Sequence, residues 1–210
     1  MPTNHTKDLL GGWQAIAMMG LLGLVLALII SFVQPLRYSS TARLLILQSD
    51  SSVDAYTASR AEERIADNLS TIVYTSTFFD QVMRAGFNIN QNSFPEEQNK
   101  QRRAWARTID SSVSRGSGLL TLTAFHQDIQ QAEQIVRAVA FVLTDRVSEY
   151  TSGSNIQVRL VDEPLNSRWP VKPNVAANVI SGLFLGALFG VLYVLLQSER
   201  LRRRHQIVHE

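Results

Sequence analysis

The residues with the most versatile chemistry are the four histidines, and they do not form a catalytic arrangement. His5 and His126 stand alone, whereas His205 and His209 are four residues apart near the end of the chain. This spacing would place both rings on one face of a helix, where they could bind a metal ion. A third ligand does not accompany them, so the histidines predict no metal site.

The carboxylates, serines and glycines also lack the spacing that catalysis requires. Asp162 and Glu163 are adjacent in a predicted strand, so their side chains point to opposite faces and cannot act as a pair. No serine stands in a nucleophile-elbow sequence. Gly116 and Gly118 are not followed by the Lys and Ser or Thr of a phosphate-binding loop. We therefore predict no enzymatic activity, no catalytic residue and no cofactor.

Charge and composition exclude two further classes. The 210 residues carry a formal net charge of +2 and include no cysteine. Positive and negative residues cancel between residues 34 and 174, and the basic surplus lies near the C-terminus. A nucleic-acid-binding domain would instead show a basic face or stripe. Without cysteine, the chain has neither disulfides nor cysteine-bound metals.

Two long apolar segments without charge divide the chain. They are residues 15–33 and 175–196, and each has about the 20 residues that cross a hydrocarbon core of about 30 Å. The first could alternatively be a cleaved signal peptide. It is longer than a typical signal core, and the sequence SFVQP at its end offers no small-x-small cleavage site. We therefore predict two transmembrane helices.

The charges after the second span predict the orientation. Arg200, Arg202, Arg203 and Arg204 place the C-terminal tail on the cytoplasmic side, and two spans return the N-terminus to that side. The predicted organisation is a cytoplasmic lead (1–14), a first transmembrane helix (15–33), one extracytoplasmic domain (34–174), a second transmembrane helix (175–196) and a basic cytoplasmic tail (197–210). The four arginines could contact a cytoplasmic partner, or they could be stop-transfer charges that bind anionic lipid.

Glycines in the second span are regularly spaced. Gly182, Gly186 and Gly190 are four residues apart, which places them on one helix face. Small residues at this spacing allow close helix packing and oligomerisation in lipid. The alternative interpretation is that glycine is simply frequent in membrane helices.

Prolines precede the second span. Pro164, Pro170 and Pro173 are too closely spaced for a regular helix or a central strand to continue through them. They predict an extended, proline-rich strap that leads into the membrane helix.

The middle of the chain predicts a single soluble domain of mixed α/β type. Alternating apolar residues predict strands at 38–48, 111–125 and 156–160, and Gly116 and Gly118 within the second predict a hairpin turn or a bulge. The first and last of these strands adjoin the two spans, so we expect them to pair. Helices are predicted from Ser59, from a cap at residues 75–77 to Gly86, from Pro95 and after Asp128, where Gln131 would complete a capping box.

One predicted helix is basic. Lys100, Arg102, Arg103 and Arg107 could form a patch that contacts an anionic polymer or lipid head groups. More often such a run is the solvated face of a short helix, and the neighbouring glutamates partly offset its charge.

Four segments in this order resemble the polysaccharide co-polymerase family, also called Wzz or chain-length determinant proteins. They are YSSTARLLIL after the first span, the helices broken at TST and ended by RAGF, the stretch SRGSGLLTLTAFHQDIQQAEQIVRAVAFVLTDRV, and VDEPLNSRWPVKPN before a glycine-rich span. Together they cover nearly the whole chain. The outside domain is short for this family, and no kinase domain follows the second span. In this the chain is similar to small membrane modulators that work with a separate cytoplasmic tyrosine kinase.

The resemblance implies a homo-oligomeric protein without enzymatic activity in the bacterial inner membrane. Such proteins control chain length in O-antigen (lipopolysaccharide), capsule or exopolysaccharide synthesis, and their partners are a polysaccharide polymerase, the growing polymer and membrane lipid. A kinase adaptor, an extracytoplasmic sensor and a passive scaffold are the alternatives.

Overall fold

The computed structural model describes residues 12–48, 55–151 and 156–207, with the side chains of residue 55 and residues 201–207 left out. The elements in chain order are α1 (Trp13–Val33), β1 (Tyr38–Gln48), α2 (Ala55–Ile72), α3 (Ser76–Met83), a 3-10 turn (Gln91–Ser93), α4 (Gln98–Thr108), β2 (Ile109–Val113), β3 (Leu119–His126), α5 (Ile129–Asp145), α6 (Val147–Tyr150), β4 (Ile156–Asn166) and α7 (Val175–Ile207). The predicted N-terminal lead up to residue 11 and the end of the tail lie outside the described residues. So does the sequence Ser-Gly-Ser at residues 152–154, which predicts a turn before the last strand.

The chain divides into two units. One holds the residues up to Pro35 and those from Lys172 onward, and the other is Leu36–Val171. The first unit, here called the helical hairpin, consists of α1 packed along α7. Both helices are long and apolar enough to cross a membrane, over Trp13–Val33 and Val175–Arg200. The mixed α/β architecture between two apolar terminal helices confirms the predicted fold class.

The second unit, here called the sheet domain, is built on a four-stranded antiparallel sheet. Its strand order is β2-β3-β1-β4, so β2 and β4 form the edges. β1 pairs with β3 and, on its other side, with β4, where the register shifts around Arg43. The predicted pairing of the first and last strands is therefore confirmed. Both chain links to the hairpin leave from the same end of the sheet, where β1 begins and β4 ends.

Helices pack on one face of the sheet, here called the inner face. Residues of β1 and β3 therefore alternate between buried and partly exposed positions. α5 buries an apolar stripe that includes Ile135, Val139 and Leu143. An aromatic cluster fills the end near α4, where Trp105 is fully buried and its Nε1 donates to the Val73 carbonyl at 2.8 Å. The rings of Phe79 and Phe94 lie edge-on to Trp105 at 5.2 and 6.0 Å between centroids.

Local signals placed most turns correctly. The Thr75 side chain accepts from Phe78 N and caps α3. Gly86 and Gly116 have φ angles of +84° and +71°, a region that favours glycine because other residues carry a Cβ. Gly116 lies in the turn between β2 and β3, which confirms that prediction.

The starts of α2 and α4 and the capping box of α5 differ from the predictions. α2 begins at Ala55, before the predicted start at Ser59. α4 begins at Gln98, because Glu97 has an extended backbone, so Pro95 and Glu96 precede the helix rather than form its first turn. Asp128 does cap α5 by accepting from Gln130 N at 2.9 Å. Gln131 does not complete a capping box, because its amide binds the backbone of a distant loop at Asn88 and Asn90.

Candidate functional site

The three regularly spaced glycines of α7 pack against α1 of the same chain. A Cβ on Gly182 would lie 2.5 Å from the Cβ of Ala27, and a Cβ on Gly190 would lie 2.7 Å from the Cα of Ile16. A Cβ on Gly186 would collide with the carbonyl of Met19. These contacts define the glycine seam, and side chains at its positions would force the helices apart. Packing against a second copy through these glycines stays a prediction.

α1 contributes its own small residues to the seam, and the sequence analysis missed them. A Cβ on Gly23 would collide with the Gly182 carbonyl, and Ala27 lies four residues later. The signal was available, because Gly23 and Ala27 repeat the small-xxx-small spacing of α7. It was weaker, since the repeat in α1 combines one glycine with alanine and serine, at Gly23, Ala27 and Ser31, whereas α7 carries three glycines.

A polar contact closes one end of the hairpin. The Asn178 Nδ2 donates to the Ser31 Oγ at 2.9 Å, and Ser31 is only 2% exposed. Asn174 caps α7, because its Oδ1 accepts from Ala177 N at 3.1 Å. Side-chain hydrogen bonds between helices help to fix their register in an apolar environment.

The faces of the hairpin turned away from the seam are apolar and exposed. Those with more than half of their surface exposed include Met18, Leu21, Ile29, Phe32, Phe184, Leu188 and Phe189. An uninterrupted apolar surface of this kind is unfavourable in water and typical of contact with lipid. The two helices therefore indicate a membrane protein.

The proline strap is attached to the start of β1. Ser39 N donates to the Ser167 Oγ at 3.0 Å, and Ser167 N donates to the Ser39 carbonyl at 2.8 Å. Farther along, Val171 N donates to the Arg37 carbonyl at 2.8 Å. Pro164 lies within β4, which is an edge strand and therefore tolerates a residue without an N–H. Pro170 and Pro173 follow the end of β4, where the chain runs on toward α7.

The basic residues of α4 are solvent-exposed. Lys100, Arg102, Arg103 and Arg107 all lie on the surface, and the Lys100 ammonium forms an ion pair with Glu97 at 2.6 Å. Exposed pairs of this kind contribute about 0–1 kcal/mol. Contact of these residues with polymer stays a prediction.

The tail continues as a helix. α7 extends through Ile207, past the apolar segment, and Arg200 is exposed. The side chains of Arg202, Arg203 and Arg204, like that of His205, lie outside the described part of the chain. His209 lies outside it altogether.

Two titratable groups of the sheet domain are shifted by their neighbours. Hydrogen bonds from Asn166, at 2.6 Å, and from Arg137 hold the pKa of Glu133 below its usual range. This links α5 to the end of β4. Burial, with the nearby Glu149 carboxylate, raises the pKa of Tyr150, whose hydroxyl donates to Gln81. Both groups make contacts that hold elements of the sheet domain together.

Comparison with known proteins identifies one domain. Residues 121–199, from β3 through most of α7, match the family model GNVR, described as a G-rich domain on putative tyrosine kinase. No curated protein matches the chain. The matched segment contains the proline strap and the three seam glycines, and it confirms the resemblance drawn from the sequence. Residues 121–199 are therefore similar to the GNVR domain, a domain found in polysaccharide co-polymerase-like (Wzz-like) membrane proteins.

Proposed function

We propose that the protein is a non-enzymatic homo-oligomer of the bacterial inner membrane that controls the chain length or export of a surface polysaccharide. The GNVR match over residues 121–199 carries this proposal. O-antigen, capsule and exopolysaccharide are the polymer classes concerned. The sheet domain lies on the extracytoplasmic side, where it meets the polymerase or the growing polymer, and both helices cross the membrane.

The free edge of the sheet domain supports self-association. β4 is an edge strand of 11 residues, and it exposes Leu160, Val161 and, at 77% of its surface, Leu165. An exposed apolar edge strand is an interaction surface unless it is covered. A second copy of this chain covers it in the proposed oligomer, and repeated contacts of this kind close a ring that holds polymerase or polymer.

The mass of the full chain in mild detergent tests the oligomer. Light scattering with the detergent subtracted should give a large closed assembly. Leu165→Asp should reduce the mass, whereas Tyr56→Asp, which also removes an exposed apolar side chain but lies on α2, should not. A monomer for the unaltered chain would contradict the ring.

Polymer length tests the function itself. Deleting the gene should change the length distribution of the surface polymer on a gel, and the unaltered chain should restore it. Replacing the three seam glycines with leucine should fail to restore it, because the hairpin would separate. An unchanged distribution after deletion would contradict length control.

A separate observation favours a second candidate, an adaptor for a cytoplasmic tyrosine kinase. The matching domain is described as lying on a putative tyrosine kinase, and α7 continues as a helix beyond its apolar part. Truncation after Arg204 keeps all four arginines and removes residues 205–210. Under the adaptor hypothesis it lowers phosphotyrosine on the host's kinase, whereas under length control alone phosphotyrosine does not change.

A further inference from the structure

One end of the sheet brings together several chain segments. Tyr38, at the start of β1, pairs with His126, at the end of β3, and Ser40 pairs with Asn166, at the end of β4. α4 ends at Thr108, directly before β2, which pairs with the same part of β3. We call this the linker end of the sheet, because the chain enters it from α1 and leaves it toward α7.

A cavity of about 370 Å³ opens at the linker end. Among the residues that the structure describes, the lining includes Arg37, Arg107 and His126 but no Asp or Glu. Within residues 12–48, 55–151 and 156–207, neither arginine forms an ion pair with a carboxylate. The cavity therefore concentrates positive charge that the carboxylates of the described residues leave unpaired.

Arg37 has a structural contact and spare donors. Its Nη1 donates to the Arg107 carbonyl at 3.3 Å, in the last turn of α4, where free carbonyls favour a cation. This hydrogen bond uses one of five N–H groups of the guanidinium. The planar fork that remains is suited to binding two oxygens of a phosphate group at once.

His126 supplies a further donor. Its Nδ1 accepts from the backbone N–H of Asp128 at 3.0 Å. The same Nδ1 lies 3.3 Å from the Asp128 carbonyl. When Nδ1 accepts from the backbone N–H, the proton of a neutral ring is on Nε2, so His126, which lines the cavity, carries an N–H donor in that tautomer.

We propose that this cavity binds the phosphate group of an anionic phospholipid. Two permanently charged guanidinium groups, a histidine and the absence of a carboxylate among the described lining residues fit a phosphate. The short connection to the membrane helix indicates that the phosphate belongs to a lipid. Only residues 34–36 separate Arg37 from Val33, the last residue of α1. Four steps of extended chain span at most about 14 Å, which keeps the cavity within reach of lipid head groups. The proposal does not depend on the control of polymer length.

Native mass spectrometry of the full chain in a neutral detergent tests the proposal. Phosphatidylglycerol and phosphatidylcholine are added separately, and the retained lipid is counted. The unaltered chain should retain phosphatidylglycerol preferentially. Arg37→Gln with Arg107→Gln should reduce that retention by about tenfold, since charge-assisted hydrogen bonds are among the strong ones.

A matched control removes the same charge elsewhere. Arg64→Gln with Arg84→Gln takes two exposed arginines from other helices, and Arg84 also donates to a helix carbonyl, that of Asp80, at 3.1 Å. This pair should change retention less than twofold. An equal loss of lipid retention in both double variants would mean that retention depends on general surface charge, and it would overturn the proposal.

Two further arms keep the result interpretable. Because Arg37→Gln also removes a contact to α4, Arg107→Gln alone is the second variant, and it should still lower retention. Inorganic phosphate at millimolar concentration should not displace the lipid. If it did, or if an acidic oligosaccharide bound the cavity better than phosphatidylglycerol, the lipid assignment would be wrong. Neither outcome bears on polymer length in a deletion strain, which is measured separately.

Discussion

The helical hairpin and the sheet domain have opposite interiors. Between α1 and α7 the buried contacts are made mainly by glycine, alanine and serine, together with Val194, while phenylalanine and most leucines lie outside. In the sheet domain Trp105, Phe78 and Leu44 lie inside. In water, burial of large apolar groups drives folding, whereas in lipid it gains little and close backbone packing takes over. One chain thus follows two rules, which can be tested separately.

Breaking the glycine seam should have the largest effect. Gly186→Leu places a side chain against the Met19 carbonyl, and we expect α1 and α7 to separate. The chain has no cysteine, so Ser31→Cys with Asn178→Cys reports their contact by an unambiguous crosslink. Crosslinking should disappear with Gly186→Leu and persist with Ala176→Leu, which introduces the same side chain at an exposed position. A crosslink between two chains would show that the seam joins copies instead.

Removing the largest core side chain should have the next largest effect. Trp105→Ala is expected to lower the free energy of unfolding of the sheet domain by about 3–5 kcal/mol, through lost burial and a cavity. Phe189→Ala, on the exposed face of the hairpin, should change it little. Denaturant unfolding of the full chain in neutral detergent, followed by near-ultraviolet circular dichroism, measures both. Similar losses of unfolding free energy for both variants would contradict the difference between the two interiors.

A small gain is expected at Ser40. Its side chain is fully buried, and its Oγ has no hydrogen-bond partner among the residues described. A buried hydroxyl without a partner costs about 1–3 kcal/mol, so Ser40→Ala should raise the free energy of unfolding by about 1 kcal/mol. Ser39→Ala, at the neighbouring and partly exposed position, is the control. A loss of stability at Ser40 would indicate a partner for the hydroxyl.

The smallest effect should come from the pH dependence at Glu133. Because its pKa is lowered in the folded state, Glu133 contributes stability above the usual glutamate pKa of about 4.3. That contribution is lost as the pH falls through the lower, folded-state pKa. Glu133→Gln should therefore reduce the loss of stability on acidification, and so should Asn166→Ala, which removes the first hydrogen-bond donor. Identical acid profiles for all three chains would contradict this.

Much of the fold followed from local patterns. Uninterrupted apolar segments predicted both long helices, and alternation predicted β1 and β3, because these signals depend only on neighbouring residues. The cap at Thr75 and the turn at Gly116 were likewise local.

The predictions failed where a contact with a segment distant in sequence determines the structure. Gln131 binds the loop at Asn88 and Asn90 instead of its own helix, and nothing near it in sequence indicates that loop. The glycine spacing predicted a packing face but could not say that α1 covers it. The cavity at the linker end was missed for the same reason, because Arg37, Arg107 and His126 are brought together only by strand pairing.

The unbroken length of α7 has a mechanical consequence. The helix has 33 residues, about 50 Å, whereas a hydrocarbon core is about 30 Å thick. Gly190 is its last glycine, and no proline interrupts it. A continuous helix transmits rotation and tilt along its length. When the apolar part of α7 rotates or tilts, its basic end rotates or tilts with it. A movement of the strap would thereby be transmitted to the far end of α7, since no hinge interrupts the helix.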